Sequence, residues 1–561
     1  MNTRLFRILC LILCIALLVT LPMLAACGGD ETDTTDTSSS GQETPTEAPS
    51  EAPTEPATNP TAEPATDPAT ESVTEPVTEP ATEPVTEPVT DPVTEPATDP
   101  VTEPATETEP TTEPASEPAT EPATEPATEP ETEPEPETED PVEVESRKQE
   151  EMKEMYDKTE DKVLPIGGWS TPAAGLRDGY SGVEGSYDAA WQLLADAHLN
   201  YMITLEEWSS GYWTLESAAS AHKAGMKLWY HCSVLGASDA LDRIQSILDS
   251  EYADVLQAVY LKDEPTLDGF GEVKSLYDAV SAGLEGHDLT YLANLLPTYA
   301  GSNLIGKDYR TYVRNYLETI KPEILMFDHY PYAAGENIRP MLVNNAIAIQ
   351  EANRAGVPLY TFIQSSGLSG GVEPTETQLR TNVQVNLATG SKGIAYFTVC
   401  EYAKGWGYTP ALTEDGQTTA LYDKIKTVNE EVLAMKGVYL DYTCEGMMTA
   451  GYTGLSRLFK KAGCSDFLLN EYGEVTDVSA AGQFIIGCFA NEKGEHGYYI
   501  VNMSEDKEGT ARLVFDETCD KTYTLWGADG LSDMGAATGT VSVTLAPGYG
   551  AFLRLEPSAA E

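Results

Sequence analysis

The chain is poor in basic residues. Its 561 residues include 33 Lys and Arg against 91 Asp and Glu, which gives a formal net charge of −58 at pH 7. Proteins that bind nucleic acids neutralise phosphates with clusters of Lys and Arg. A chain with this charge would repel a polyanion, so the composition excludes nucleic acid as a partner.

The sequence also lacks the common motifs for metal and phosphate chemistry. Its six histidines form no HExxH pair, and there is no CxxC pair, phosphate loop or dinucleotide-binding glycine motif. The cysteines after residue 200 are widely spaced, which is not typical of a zinc site or a dense disulfide framework; they are Cys232, Cys400, Cys444, Cys464, Cys488 and Cys519. The sequence leaves open whether the last four form disulfides. We expect no cofactor and no metal.

The N-terminus has the pattern of a secretion signal. Arg4 and Arg7 precede an apolar run that ends in Leu24-Ala25-Ala26-Cys27. A basic start, an apolar core and small residues before a cleavage point are typical of a signal peptide. The cysteine that follows Leu-Ala-Ala resembles the lipidated residue of bacterial lipoproteins. This predicts a signal peptide over 1–27 and a lipid anchor at Cys27, on the outer side of the cell membrane. An ordinary signal peptide or an N-terminal membrane helix is the alternative.

Residues 28–146 are low-complexity repeats such as TEPATEPVTEP, with a period of four residues. The segment contains 34 Asp and Glu and no Lys or Arg. Frequent proline removes backbone donors and blocks helix formation, and few of the residues could build a core. We expect a disordered acidic Thr/Pro/Glu-rich stalk, which at the rise of a polyproline helix could reach at most roughly 370 Å.

Between 147 and 436, short apolar runs alternate with segments of helical period. The runs lie at 163–169, 200–208, 227–232, 256–265, 289–297, 323–331, 358–365 and 392–402. Buried parallel strands read as continuous apolar runs separated by helices. The pattern predicts a (β/α)8 barrel, with a doubly wound open sheet as the alternative. From 437 to 561, short alternating strands without helices predict an antiparallel β-sandwich.

In such a barrel the chemistry lies where the strands end at their carboxyl edge. Carboxylates, amides and aromatic rings occupy those positions here, which suits a sugar, and we expect an oligosaccharide or glycan substrate. The candidates are Trp169, Glu206, His231, Asp263, Glu264, Asn294, Asp328, Tyr330, Gln364, Glu401 and Tyr402. Asp263-Glu264-Pro265 also has the composition of an ordinary helix start, because Asp, Glu and Pro are favoured in a first turn.

Three segments of the barrel carry a resemblance to a known family. LKDEP at the fourth strand, FDHYPY at the sixth and YFTVCEY at the eighth resemble bacterial secreted glycoside hydrolases with TIM barrels, including beta-galactosidase-like enzymes. The resemblance implies that Glu264, at the end of the fourth strand, is the acid/base residue. It also implies a nucleophilic glutamate at the end of the seventh strand, where this sequence has Gln364.

The adjacent pair Asp263-Glu264 resembles a second group, the hexosaminidases that use substrate assistance. The resemblance implies that Asp263 orients a 2-acetamido group of the substrate, which attacks the anomeric carbon in place of an enzymic nucleophile. Regular strand alternation would place Lys262, not Asp263, on the face of Glu264, so a bulge or a strand end is required. The sequence therefore predicts a cell-surface glycoside hydrolase, with a non-catalytic glycan-binding lipoprotein of the same barrel class as the alternative.

Overall fold

The computed structural model describes residues 141–173, 176, 185–205, 214–232, 236–333, 337–367, 373–401 and 408–558. The predicted signal peptide and nearly all of the predicted stalk lie outside these ranges. Among the described residues, no helix is long and apolar enough to cross a membrane. A helix, α1 (Pro141–Lys158), leads into the first strand. It includes 141–146, which were predicted to belong to the disordered stalk.

Eight parallel strands form a closed barrel, which confirms the predicted fold and excludes the open sheet. Each strand pairs with the next in chain order, and the eighth pairs with the first. The strands are β1 (Ile166–Trp169), β2 (Tyr201–Ile203), β3 (Lys227–His231), β4 (Leu256–Asp263), β5 (Thr290–Leu295), β6 (Leu325–Phe327), β7 (Leu359–Gln364) and β8 (Ser391–Phe397).

Helices follow the strands and cover the outside of the barrel. They are α2 (Ser186–Asp196), α3 (Thr214–Ala224), α4 (Ala237–Leu248), α5 (Phe270–Gly283), α6 (Ser302–Ile305), α7 (Tyr309–Ile320), α8 (Arg339–Ala355), α9 (Glu376–Ala388) and α10 (Ala420–Leu433). Their signals are the expected ones: Asp308 caps α7 and a capping box at Thr375 opens α9.

The interior of the barrel is filled with large aromatic side chains. The rings of Tyr201 and Trp229 stack at 4.0 Å between centroids. A methyl group on Gly167 would lie 2.2 Å from the ring of Tyr201, so glycine is required for this ring to fit. Like other barrels of this class, this one has a packed core and not a pore. A ligand can therefore bind only at the ends of the barrel.

The C-terminal part is a sandwich of antiparallel sheets, as predicted. A six-stranded sheet contains β9 (Tyr442–Ala450), β11 (Phe484–Asn491), β12 (His496–Asn502), β14 (Lys521–Gly527), β15 (Gly530–Ala536) and β17 (Gly550–Pro557). A three-stranded sheet contains β10 (Val475–Ala481), β13 (Gly509–Phe515) and β16 (Thr540–Leu545). A short helix, α11 (Leu455–Ala462), follows β9, so the prediction of strands without helices from 437 to 561 is wrong at this point.

The larger sheet buries both of its faces. Ile486 and Tyr498 belong to the core between the two sheets, whereas Phe489 and Tyr499 belong to the core shared with the barrel. The hydroxyl of Tyr499 donates a hydrogen bond to Gln384 Oε1 in α9 at 2.8 Å. The sandwich thus completes the outer layer of the barrel.

The six cysteines from Cys232 to Cys519 are free thiols in the described structure. All but Cys519 are buried. Cysteines buried in this way act as small apolar side chains. The fold is therefore held by packing, hydrogen bonds and ion pairs.

Glu351, in α8, is a buried charge that has several hydrogen-bond partners. Its carboxylate is 2% exposed and accepts hydrogen bonds from Arg310, Arg314 and Arg354 at 2.7 to 3.0 Å. Burial alone would raise the pKa of Glu351, but the three arginines outweigh it and lower the pKa to about 2. The ionised carboxylate therefore joins α7 to α8.

We expect Glu351→Gln to lower the free energy of unfolding at pH 7 by about 2 kcal/mol, since a pKa unit corresponds to about 1.4 kcal/mol and partial exposure of the arginines screens the interaction. Because the folded-state pKa is depressed, this contribution is full above the ordinary pKa of 4.5 and is lost as the pH falls toward 2. Urea unfolding of the wild type and of Glu351→Gln at several pH values measures this difference in the free energy of unfolding. A stability difference that does not shrink on acidification would contradict this account.

Candidate functional site

The strand that carries the candidate acid is irregular at its carboxyl end. Between Tyr260 and Lys262 the register of β4 against β5 shifts, which is a β-bulge. After the shift Asp263 lies opposite Asn294, and the Glu264 N–H donates to the Asn294 carbonyl oxygen at 3.0 Å. Glu264 has a φ of 46°, which is uncommon for a residue other than glycine.

The bulge and the left-handed residue end the regular alternation of β4. Alternation would have directed successive carboxyl groups to opposite faces. Instead, the side chains of both Asp263 and Glu264 interact with residues at the carboxyl ends of β5 and β6. Regular alternation would have placed Lys262, not Asp263, on the same face as Glu264, and the irregular strand end explains why this does not happen.

Three carboxyl groups and one amide meet at this end of the barrel, and we call them the carboxyl cluster (Asp263, Glu264, Asp328 and Asn294). The Asn294 Nδ2 donates to Asp263 Oδ1 at 3.3 Å and to Asp328 Oδ1 at 3.0 Å. The hydroxyl of Tyr260 donates to Asp263 Oδ1 at 2.7 Å. The side chains of Glu264 and Asp328 are hydrogen-bonded to each other.

Burial and mutual repulsion favour protonation within the carboxyl cluster. Burial, followed by the charges of Asp328 and Asp263, raises the pKa of Glu264 well above its usual range. Burial and the charge of Asp263 also raise the pKa of Asp328, against the hydrogen bond from Asn294. A hydrogen bond between two carboxyl groups needs one proton, so the pair retains a proton at pH values where an exposed pair would be fully ionised.

Two buried polar atoms at the carboxyl ends of the strands lack a hydrogen-bond partner. Among the described residues, Asn294 Oδ1 and the Oγ of Ser170, directly after β1, have no hydrogen-bond partner. Both residues are at most 2% exposed. Such groups are normally satisfied by protein, water or ligand. Their presence at the mouth fits a ligand that carries hydroxyl or amide groups.

Two of the predicted site residues lie in an aromatic layer below the carboxyl cluster. The Trp169 ring lies 5.2 Å from His231, 5.7 Å from Tyr260 and 5.9 Å from Phe362. Trp169 is 5% exposed and His231 is 1% exposed. They form the floor of the mouth. Tyr330, at the end of β6, is half-buried, and its ring contacts Phe397 at 5.4 Å.

Gln364 and Glu401 make hydrogen bonds within the loops. Gln364 is fully buried; its Oε1 accepts from the Tyr332 N–H at 2.8 Å, and its Nε2 donates to the Ser366 carbonyl oxygen at 3.4 Å. Glu401 Oε2 accepts from the Glu414 N–H at 3.1 Å. The first connects the loops after β6 and β7, and the second fixes the loop after β8.

Tyr299 is a mouth residue that the strand-end prediction missed. It lies in the loop after β5, is 43% exposed, and its ring contacts that of His329 at 4.9 Å. A search for aromatic residues in the loops after each strand, and not only at the strand ends, would have identified Tyr299 from the sequence. Glu206, Tyr402 and Cys27 lie outside the described residues, and their roles stay predictions.

The spacing of the carboxyl groups limits the chemistry that they can perform. A retaining glycosidase holds its acid and its nucleophile about 5 to 5.5 Å apart, and an inverting enzyme holds its acid and base further apart. Asp328 is hydrogen-bonded to Glu264 and is too close for either role. Within the described ranges, no group of His, Cys, Asp or Glu is arranged to hold a metal ion.

No family model and no curated protein matches the chain. Solved structures with a similar path include a beta-galactosidase from Bacillus circulans sp. alkalophilus, at 7% identity over 71% of this chain and 99% of that chain, with a TM-score of 0.48. A beta-galactosidase mutant from G. stearothermophilus is 7% identical over 70% of this chain and 98% of that chain, with a TM-score of 0.46. An arabinofuranosidase from Xanthomonas axonopodis pv. citri is 8% identical over 71% of this chain and 97% of that chain, with a TM-score of 0.37. Similarities of this size do not assign a function.

The fold and the site together define a class. The protein contains a (β/α)8 barrel with a partly buried carboxyl cluster at the carboxyl ends of β4, β5 and β6, completed by an antiparallel sandwich. In barrels of this kind the carboxyl end is where ligands bind.

Proposed function

We propose that the protein is a cell-surface glycoside hydrolase in which Glu264 is the general acid and base. The observation that carries the proposal is the hydrogen-bonded pair of Glu264 and Asp328 at the carboxyl end of the barrel. Cleavage of a glycosidic bond needs a proton on the leaving oxygen as the bond to the anomeric carbon breaks. A carboxylic acid that keeps its proton near neutral pH can supply it.

We further propose that the substrate supplies the nucleophile. The end of β7 carries Gln364, which makes hydrogen bonds with backbone atoms. In the proposed step, the carbonyl oxygen of a 2-acetamido group forms a bond to the anomeric carbon, the glycosidic bond breaks, and its oxygen takes the proton of Glu264. Water then attacks the anomeric carbon and gives a proton to the Glu264 carboxylate, and the bond between that carbon and the acetamido oxygen breaks. Asp263, fixed by Tyr260 and Asn294, orients the acetamido N–H.

The second candidate function is glycan binding without turnover. The observation that favours it is the same Gln364, because an amide at the end of β7 cannot act as a nucleophile. In that case the unsatisfied Asn294 Oδ1 and Ser170 Oγ would receive sugar hydroxyls, and the carboxyl cluster would only accept hydrogen bonds.

A chromogenic-glycoside screen with the full-length protein separates the two functions, with Glu264→Gln as the matched control. Turnover of any glycoside that disappears in Glu264→Gln supports the hydrolase. Glycan-array binding by both proteins, with no turnover in either, supports the binding protein.

We also propose that the lipid anchor at Cys27 and the stalk over 28–146 hold the barrel outside the cell membrane. The support is the small-residue sequence before Cys27 and the 34 acidic residues of the stalk. A lipidated cysteine would anchor the protein to the membrane surface. The substrate would then be a glycan outside the cell.

Cys27→Ser should remove the protein from the membrane fraction, because serine cannot accept the lipid. Cys14→Ser, within the apolar run, is the matched control and should leave the protein membrane-bound. Fractionation followed by immunoblotting measures both. A Cys27→Ser variant that has lost its signal peptide and yet stays with the membranes would refute the anchor.

A further inference from the structure

The geometry of the hydrogen bonds identifies which member of the Glu264–Asp328 pair holds the proton. Asp328 Oδ1 accepts from Asn294 Nδ2 at 3.0 Å, and its carboxyl group also receives a backbone hydrogen bond. Asparagine Nδ2 only donates. Asp328 is therefore held as an acceptor, the role that suits an ionised carboxylate. Both donors favour the ionised form of Asp328, whereas the hydrogen bond to Asp328 favours the protonated form of Glu264. The shared proton therefore belongs to Glu264, which donates it to Asp328.

The charged groups that raise the pKa of Glu264 and of Asp328 are carboxylates. His329, which directly follows Asp328, is buried, and burial lowers its pKa to about 4, so the ring is neutral. Its Nδ1 lies 3.2 Å from Asn344 Oδ1, an acceptor, and therefore carries the proton. The other titratable groups that interact with Glu264 or Asp328 are Asp263 and Tyr260 on β4, Tyr309 and Tyr312 on α7, and Tyr330 after β6.

We propose that Asp328 is a positioning residue that keeps the proton on Glu264 and directs that carboxyl group, and is not itself a sugar ligand or a nucleophile. This inference rests on the proposed acid role of Glu264. Asn294 joins the two parts of the carboxyl cluster, because one amide nitrogen fixes both Asp263 and Asp328. When Glu264 gives its proton to the leaving oxygen, the two adjacent carboxylates repel each other. That repulsion favours the return of a proton to Glu264 before the next turnover.

The test is the pH dependence of kcat/KM for Asp328→Asn in the full-length protein. The amide keeps the size of the side chain and removes its charge. Without the charge, the acid form of Glu264 is lost at lower pH, so the basic limb of the profile should move down by about one pH unit or more. At pH values above the limb, a displacement of one pH unit lowers kcat/KM about tenfold relative to the wild type. Asp268→Asn, an exposed change in the turn after β4, is the matched control and should leave the limb in place.

A second measurement needs neither a substrate nor a folded Asp328 variant. The wild-type protein labelled with 13C at the glutamate carboxyl carbons is titrated by NMR, and the signal missing from Glu264→Gln is assigned to Glu264. We expect this carboxyl group to titrate well above the usual range of exposed glutamates. Titration within the usual range would overturn the inference.

The outcomes separate this inference from the proposed function. A shifted basic limb in Asp328→Asn supports both. If Glu264→Gln abolishes turnover but Asp328→Asn changes only KM, Asp328 binds the sugar; the inference then falls and the hydrolase stands. If Glu264→Gln retains wild-type turnover, the acid role falls, and with it the positioning role of Asp328.

Discussion

Glu264→Gln should lower kcat/KM for a saccharide with an unactivated leaving group by about 10³-fold, within the range of general acid catalysis. The amide occupies the same space but has no acidic proton. The loss should be far smaller for an aryl glycoside whose phenol leaves as a stable anion, because that group needs little protonation. Steady-state kinetics with both substrates measures the contrast.

The matched control for this prediction is Glu272→Gln. Glu272 is an exposed residue in the first turn of α5, so the change alters charge at the same end of the barrel without touching the carboxyl cluster. We expect its kinetics to equal those of the wild type. Equal losses on both classes of substrate in Glu264→Gln would point to a defect in binding or folding instead of proton transfer.

Asp263→Asn should lower kcat for 2-acetamido glycosides by about 10² to 10³-fold, which is the scale of a lost charged group in a catalytic step. The carboxylate would stabilise positive charge on the acetamido nitrogen as its oxygen attacks. Asp263 is held by Tyr260 and Asn294, so Tyr260→Phe should give a smaller loss in the same direction. Gln364→Ala should mainly raise KM.

A matched pair of substrates provides the control for Asp263. An aryl glucoside or galactoside without the acetamido group cannot assist its own cleavage, and we expect the wild type to hydrolyse it poorly. Efficient hydrolysis of such a sugar would overturn substrate assistance. The search for a nucleophile would then turn to Glu401, and a trapped covalent glycosyl-enzyme would identify the residue.

The architecture could be predicted from the sequence because local hydrophobic patterns mark both the strands and the helices of the barrel. Continuous apolar runs such as 256–265 and 358–365 mark strands buried on both faces, and each ends in polar residues at the same edge. The alternating strands after 437 likewise mark sheets. The hydrophobic pattern of neighbouring residues is sufficient to predict these strands, because that pattern is determined by which faces of a strand are buried.

The arrangement of the site could be predicted only in part. Asp263, Glu264, Asn294 and Asp328 are recognisable in the sequence as strand-end residues, but their mutual contacts depend on the bulge between Tyr260 and Lys262. A bulge is a register shift against a neighbouring strand, which no local pattern records. The bonding of Gln364 to the backbone depends in the same way on a loop that is distant in sequence.

The most direct test of the central role of Glu264 is the dependence of kcat/KM on leaving-group pKa for the wild type and for Glu264→Gln. The substrates are a series of aryl glycosides of the sugar identified in the screen. If Glu264 protonates the leaving oxygen, kcat/KM of the wild type should vary little across the series, whereas that of Glu264→Gln should fall steeply as the leaving-group pKa rises. Parallel lines for the two proteins would contradict the assignment of Glu264 as the acid.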